Sequence, residues 1–298
     1  MVNNKLQIGI TGVSGLIGFY FAKKLLSEGH KVIGIDIIVT REVLILKEKY
    51  KNSFEILNAE FNNKKCMVKL ENVDVLYHFA GKSDPSQFLS IKDSIDEINK
   101  FKKFIEIINL LKIKKIIFAS TEWVYDLDIE LKNLELNDDD NSAKLYAKTK
   151  YLCEIELLKL NKSTINHIAR LGIILSMKRK KYGIIEEIID KFINNSTNIE
   201  ITSPKIGRRY LSLEELYSKL ILLSNKEQLE KPICVTGKDL ILSGEVIELL
   251  NKINNFSISY IKPEYENIRD IKPDNMFDEL SNLDSTERKI LNLILTKE

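Results

Sequence analysis

The stretch Leu6-Gln7-Ile8-Gly9-Ile10-Thr11-Gly12-Val13-Ser14-Gly15-Leu16-Ile17-Gly18 decides the fold. An apolar run of strand length passes into three evenly spaced glycines and then into a helical pattern from Phe19 to Glu28. Such a strand, tight turn and helix start presents unpaired backbone N–H groups and a positive helix end, which suit a pyrophosphate. Gly12 makes the turn, Gly15 admits the phosphates, and Gly18 lets the helix pack on the strand. The next apolar run, Lys31-Val32-Ile33-Gly34-Ile35-Asp36, ends in a carboxylate. It lies about two dozen residues after the first glycine, where an acid accepts hydrogen bonds from ribose hydroxyls. Asp36 points to NAD, since a 2′-phosphate would meet its charge, while Arg41 just downstream keeps NADP open.

Working outward, strand-like runs recur at Phe54 to Leu57, Val73 to Phe79, Lys115 to Ala119 and Ile165 to Leu171. Helical patterns lie between them, notably Ile95 to Leu111 and Ala143 to Leu160. This alternation predicts an α/β fold, a doubly wound parallel sheet covered on both faces. Beyond Leu175 the rhythm is less regular. We expect a helix from Ile184 to Ile193, an extended stretch Ile199-Glu200-Ile201, and Arg208 to Leu213 before another helix. The expected organisation is a nucleotide-binding domain over 1–172 and a smaller substrate-binding lobe over 173–298.

Composition narrows the function. With 45 basic and 43 acidic residues in 298, the net charge is +2, and nucleic acid is a poor default partner. The run Lys178-Arg179-Lys180-Lys181 reads as a solvated loop, or as the rim of an anionic substrate site. Asp138-Asp139-Asp140 reads as a solvated loop before a helix start. Cys66, Cys153 and Cys234 lack metal spacing and leave an odd count, and the histidines His30, His78 and His167 are scattered, so no metal is expected. No run reaches membrane-spanning length and no cleavable leader is legible, so the expected setting is cytoplasmic, without a membrane partner.

Tyr146-Ala147-Lys148-Thr149-Lys150 carries the chemistry. Tyr146 and Lys150 are four apart in a helical pattern and share a face. A free tyrosine titrates near ~10, but a neighbouring ammonium and an oxidised nicotinamide both favour the phenolate. Tyr146 can then exchange a proton with a substrate hydroxyl as hydride moves on the same carbon.

In sum of motifs the chain resembles the extended short-chain dehydrogenase/reductases, the NAD-dependent epimerase/dehydratase family that modifies nucleotide-activated sugars. The resemblance runs from Lys5 to about Leu250. It rests on the glycine string, Asp36, Val73 to Gly81, Ile116 to Asp126, Tyr146 to Lys150 and Gly207 to Leu216. It implies a Rossmann-type fold and a cofactor held by Gly12, Gly15, Leu16, Ile17, Gly18, Asp36, Ile37, Glu60, Phe61, Phe79, Ala80, Gly81, Tyr146 and Lys150. Glu60 stands where the family usually has an adenine-contacting Asp. Thr121 stands where relatives carry the hydroxyl that orients the sugar oxygen, with Ser120 as its competitor. Ser83, Glu122, Trp123 and Arg208 are the implied substrate contacts. Arg208 matches the family arginine on the diphosphate, and the alternative is that Arg208 or Arg209 pairs with Glu214 or Glu215. The implied partner is a nucleotide-diphosphate sugar, and the implied assembly a homodimer. The apolar faces of the Ile95 and Tyr146 helices serve either that interface or the core.

Two departures bear on the reaction. Family dehydratases carry Asp-Glu after the catalytic Thr, whereas Glu122-Trp123 offers one acid and an indole that cannot act as a base. Many epimerases have Arg-x-x-Asn after the sixth strand, whereas Arg170-Leu171-Gly172-Ile173 ends in a side chain with no donor. The expected function is a nucleotide-sugar epimerase working through a transient 4-keto sugar. A 4-keto-sugar reductase is the second reading, and a cofactor-binding regulatory or scaffold protein without turnover the third.

Overall fold

The glycine-rich turn is partly helix. In the structure, a computed structural model describing residues 5–127, 135–178, 183–194, 196, 198–253, 257–280 and 285–296, strand β1 (Gln7–Thr11) leads to helix α1 (Leu16–Ser27). The helix therefore starts three residues before the expected Phe19. Gly18 is the reason: a Cβ there would lie 2.1 Å from the Gly12 carbonyl oxygen, so only a bare backbone lets the first helical turn sit on the loop.

The chain continues through β2 (Lys31–Asp36), α2 (Arg41–Lys49), β3 (Phe54–Asn58), a short α3 (Lys64–Met67), β4 (Val75–His78), α4 (Ile91–Ile108), β5 (Lys115–Thr121), α5 (Ser142–Leu157) and β6 (Ile165–Leu171). Strand β7 (Ile173–Ile174), α6 (Ile184–Ile193), β8 (Asn198–Ile201), β9 (Lys205–Leu211), α7 (Leu213–Ser224) and β10 (Ile233–Val235) follow. Last come β11 (Leu240–Leu242), α8 (Ser243–Ile253), β12 (Ser257–Tyr260), β13 (Glu266–Arg269) and α9 (Thr286–Thr296). Side-chain caps set several helix starts. The Ser90 and Asp93 pair opens α4 at Ile91, four residues before the periodic pattern becomes legible, and Asn141 accepts from Lys144 N at 2.9 Å to open α5.

Two compact units result: Met1–Arg170 with Leu220–Ile233, and Leu171–Lys219 with Cys234–Glu298. The first contains a seven-stranded sheet ordered β10-β6-β5-β4-β1-β2-β3, in which β3, β2, β1, β4 and β5 pair in parallel and the edge strand β10 runs on into the second unit. This is the expected doubly wound Rossmann-type order. The strand order reverses between β1 and β4, so their carboxyl ends open a crevice. Phe101, Phe104, Ile105 and Ile108 of α4 pack with Ile116 and Phe118 of β5 and Cys153 and Leu157 of α5. Those α4 and α5 faces are thus core, and Ile95, Ile155 and Leu158 remain exposed.

In the second unit β9 pairs with β11, β13 and β7, and β12 pairs in parallel with β8. Ile185, Ile188 and Ile189 of α6, Val246 and Leu250 of α8 and Ile290 of α9 form its core. Helix α6 matches its expected range. Among the described residues no helix is long and apolar enough to cross a membrane, and no cluster of His, Cys, Asp and Glu could hold a metal. Arg179, Lys180 and Lys181 lie outside the described residues. The acidic triplet is only partly solvated: Asp138 and Asp139 are exposed, but Asp140 is buried on Lys148 Nζ at 2.5 Å. Burial works against ionising Asp140, yet Lys148, an Asn137 amide and Lys144 hold its carboxyl below the ordinary range.

Candidate active site

The site is built at the carboxyl ends of β1, β4 and β5. Gly12 takes a positive φ of 75° and bonds through its N–H to Ile35 O at 2.8 Å, turning the chain out of the sheet. Gly15 is exposed, and a Cβ there would touch only Gly12 O, at 3.2 Å. Helix α1 opens with no side-chain cap and no acid in its first turn, where α2 and α4 carry Glu42 and Asp93. The N–H groups around Leu16 and Ile17 are thus left to an external anion. The Ser14 hydroxyl is buried with no hydrogen-bond partner among the described residues, a second group lacking an acceptor there.

Asp36 closes β2 beside this loop. Its Oδ2 accepts from Ser14 N at 2.8 Å and its Oδ1 from Ile38 N at 3.2 Å, which orients the carboxylate and leaves lone pairs for ribose hydroxyls. Ile37 is exposed beside it. The remaining adenine-side candidates are differently placed. Glu60 pairs with Lys100 Nζ at 2.7 Å at the surface. The Phe61 ring is in the core, 5.0 Å from the His78 ring and 5.8 Å from Phe104, so its backbone is the part left to meet a nucleotide.

At the end of β4, Phe79 stacks on Tyr77 and meets the Phe21 ring edge to face, and Ala80 N reaches Thr11 Oγ1 at 3.4 Å. Thr11 also bonds His78 Nδ1 at 2.8 Å. Burial, with Lys150 nearby, pushes His78 down to about 3, so it is a neutral structural imidazole. Gly81 follows with φ of 111°. Ser83 is exposed in the next loop, its N–H bonded to Gln87 Oε1 at 2.9 Å.

Thr121 is the buried last residue of β5, and its Oγ1 accepts from Trp123 N at 3.3 Å. Ser120 is not its equivalent. Its hydroxyl donates to buried Glu154, which Arg170 grips from Nε at 3.0 Å and Nη2 at 2.6 Å. Ser120, Glu154 and Arg170 thus form one hydrogen-bonded group. Glu122 is buried beside Thr121, and Trp123 packs in one apolar cluster with Phe88, Leu145 and Tyr146.

Tyr146 and Lys150 lie on one face of α5, both buried. The Tyr146 ring is 5.5 Å from Phe88, and Lys150 Nζ sits 5.7 Å over the Phe118 ring. No hydrogen bond or ion pair to the Tyr146 hydroxyl or the Lys150 ammonium forms among the described residues. Lys150 thus keeps an ammonium without a salt bridge in a largely buried residue.

Arg208 lies in the second unit, on β9. Its Nη1 donates to Gly207 O and Asn267 O, both at 2.6 Å, and Nη2 to Asn267 Oδ1 at 2.9 Å. Neither expected carboxylate pairing occurs: Arg209 meets Asp270, and Glu215 lies between Lys219 at 2.9 Å and Lys289 at 2.8 Å. Sequence reasoning also missed Glu154. The signal was available, because Tyr146, Lys150 and Glu154 continue one spacing of four along a helix face.

The sequence profile of the NAD dependent epimerase/dehydratase family matches residues 8–204. Protein CapI of Staphylococcus aureus is 31% identical over 159 residues, covering 49% of this chain and 46% of CapI. A probable UDP-glucuronate 4-epimerase of Rhizobium meliloti is 24% identical over 235 residues, 72% of this chain and 67% of that protein. The chain thus spans less than half the length of the first relative. The structure of a UDP-glucuronic acid 4-epimerase from Bacillus cereus in complex with UDP-glucuronic acid and NAD superposes with a TM-score of 0.73 at 16% identity, over 98% of this chain and 99% of that one. That likeness bears on the fold alone. With the glycine loop, the uncapped α1 and the paired Tyr146 and Lys150 all inside the matched span, the chain belongs to the NAD dependent epimerase/dehydratase family.

Proposed function

We propose that this chain is an NAD-dependent nucleotide-sugar epimerase acting through a transient 4-keto sugar. The observation that carries the reading is Tyr146 and Lys150, largely buried on one face of α5, with a hydroxyl and an ammonium that make no hydrogen bond or ion pair among the described residues. The Gly12 to Gly18 loop, the Ser14 hydroxyl and Asp36 fit a dinucleotide. When bound, the nicotinamide supplies reversible hydride exchange at the sugar carbon. Tyr146 accepts the proton of the sugar hydroxyl and later returns it to the oxygen. Lys150 lowers the cost of the phenolate and bonds the neighbouring ribose. Thr121 holds the reacting oxygen, and the wall of Trp123 and Phe88 excludes water. Arg208, oriented by Asn267, meets the diphosphate, and the second unit is the substrate-binding part. The work is done in the cytoplasm, which the unpaired Cys66, Cys153 and Cys234 support. The assembly is a homodimer, which exposed Ile95, Ile155 and Leu158 support.

The test crosses NAD and NADP with UDP-, dTDP-, GDP- and CDP-sugars, scoring binding by thermal shift and turnover by epimer exchange. Tyr146→Phe should cut turnover by about 10²–10⁴-fold with NAD affinity nearly unchanged. Gly15→Ala should leave the fold intact and weaken NAD, because its methyl enters the phosphate approach. Net consumption of reduced cofactor would assign the reductase reading, to which Glu122-Trp123 is similar. Cofactor binding with no turnover, and no effect of Tyr146→Phe, would assign the regulatory one.

A further inference from the structure

Helix α4 sends a buried carboxylate toward Lys150, and neither the glycine loop nor the Tyr and Lys pair accounts for it. Glu97 is buried, and its Oε1 accepts from Lys82 N at 3.0 Å. Gly81, the residue before, has φ of 111°, and a Cβ placed on it would lie 2.3 Å from Glu97 Oε1 and 3.9 Å from Lys150 Nζ. The carboxylate and the ammonium therefore flank one glycine, close to each other yet beyond salt-bridge contact. Only glycine fits between them.

We propose that Glu97 is a positioning residue that fixes the Gly81-Lys82 backbone and offsets the charge of Lys150, so that Tyr146 stays protonated until the site is loaded. The proposal rests on the reading of Tyr146 and Lys150 as the proton-transfer pair. An ammonium alone would favour the phenolate in the empty site. A carboxylate facing it opposes that, and the positive charge of an oxidised nicotinamide then tips the balance when the site is filled. Other charged or titratable groups are packed around the pair, among them Glu154, one turn further along α5 and held by Arg170. His78 on β4 is buried and neutral, Cys153 on α5 is a thiol that burial pushes up to about 12, and Glu122 is buried after β5. Lys82 is paired with Asp93 at 2.6 Å, and Lys100 with Glu60 at 2.7 Å.

Tyrosine ionisation absorbance, taken as the difference between the chain and its Tyr146→Phe form, reports the Tyr146 midpoint without substrate or cofactor. Glu97→Gln keeps the acceptor for Lys82 N and removes the charge. It should lower that midpoint by about one pH unit, roughly tenfold in the ionisation constant, and Glu97→Asp should restore it. An unchanged midpoint in Glu97→Gln, or equal shifts in Gln and Asp, would reduce Glu97 to a backbone anchor and overturn the proposal. A second measurement does not depend on that variant folding. In glutamate labelled with ¹³C at the carboxyl, Glu97 should be ionised at neutral pH and titrate at higher pH in Lys150→Met. A Glu97 protonated through neutrality, or indifferent to Lys150→Met, overturns it too. A chain that turns over no nucleotide sugar but shows these shifts keeps this inference and loses the proposed function.

Discussion

The two units spend their charged side chains differently. In the second, cations and carboxylates satisfy one another: Arg209 meets Asp270, and Glu215 lies between Lys219 and Lys289. In the first, Glu154 and Arg170 do the same, but Lys150 and Tyr146 are buried without partners and Ser14 keeps an orphan hydroxyl. Closed networks hold strands and helices in register, whereas a polar group left open costs stability unless something else meets it.

The largest test of this contrast is Glu215→Gln. It leaves two buried ammonium groups without their carboxylate, and burial already depresses Lys219 despite Glu215. Breaking such a group should cost about 3–5 kcal/mol, read as a lower midpoint in urea by circular dichroism. A loss below ~1 kcal/mol would show that the second unit's network is not structural.

Acid sensitivity should belong to the first unit, which holds all three histidines. His78 lies at about 3 in the fold against an ordinary 6.5, so the unfolded chain binds its proton first. The contribution is whole above pH 6.5 and is lost as pH falls toward 3, by about 1–3 kcal/mol across the accessible range. The lone Trp123, in the first unit, reports this by fluorescence, and His78→Leu should flatten the fall. The same slope in the variant would assign the acid limb to carboxylates such as Asp140.

The smallest expected change in stability is the most telling. Lys150→Met removes a charge that makes no salt bridge, at nearly constant volume, so the unfolding free energy should change by no more than ~1 kcal/mol, while turnover collapses. A strong destabilisation would mean that Lys150 is part of the closed networks after all.

Much of the first unit was legible from residues alone. Glycine spacing and period-two strands announced β1, α1 and β2, and the interval of four put Tyr146 and Lys150 on one face, because these signals are local. Helix α2 and strands β12 and β13 left no such mark: the adjacent apolar residues Val43 to Leu46 of α2 carry no helical period, and β12 and β13 are short and pair with β8 and β9 far along the chain. The return of Leu220–Ile233 to the first unit has no local signature either. Helix boundaries moved where a cap or close packing outweighed periodicity, as at Ser90 and Gly18. The family, the glycine loop that opens α1 and the shared face of Tyr146 and Lys150 were determined by sequence, since backbone conformation and i to i+4 geometry are short-range. Which charges are spent and which stay open was decided only by tertiary structure. Glu97 facing Lys150 across Gly81, and Arg170 closing on Glu154, are contacts between elements whose approach the fold alone sets.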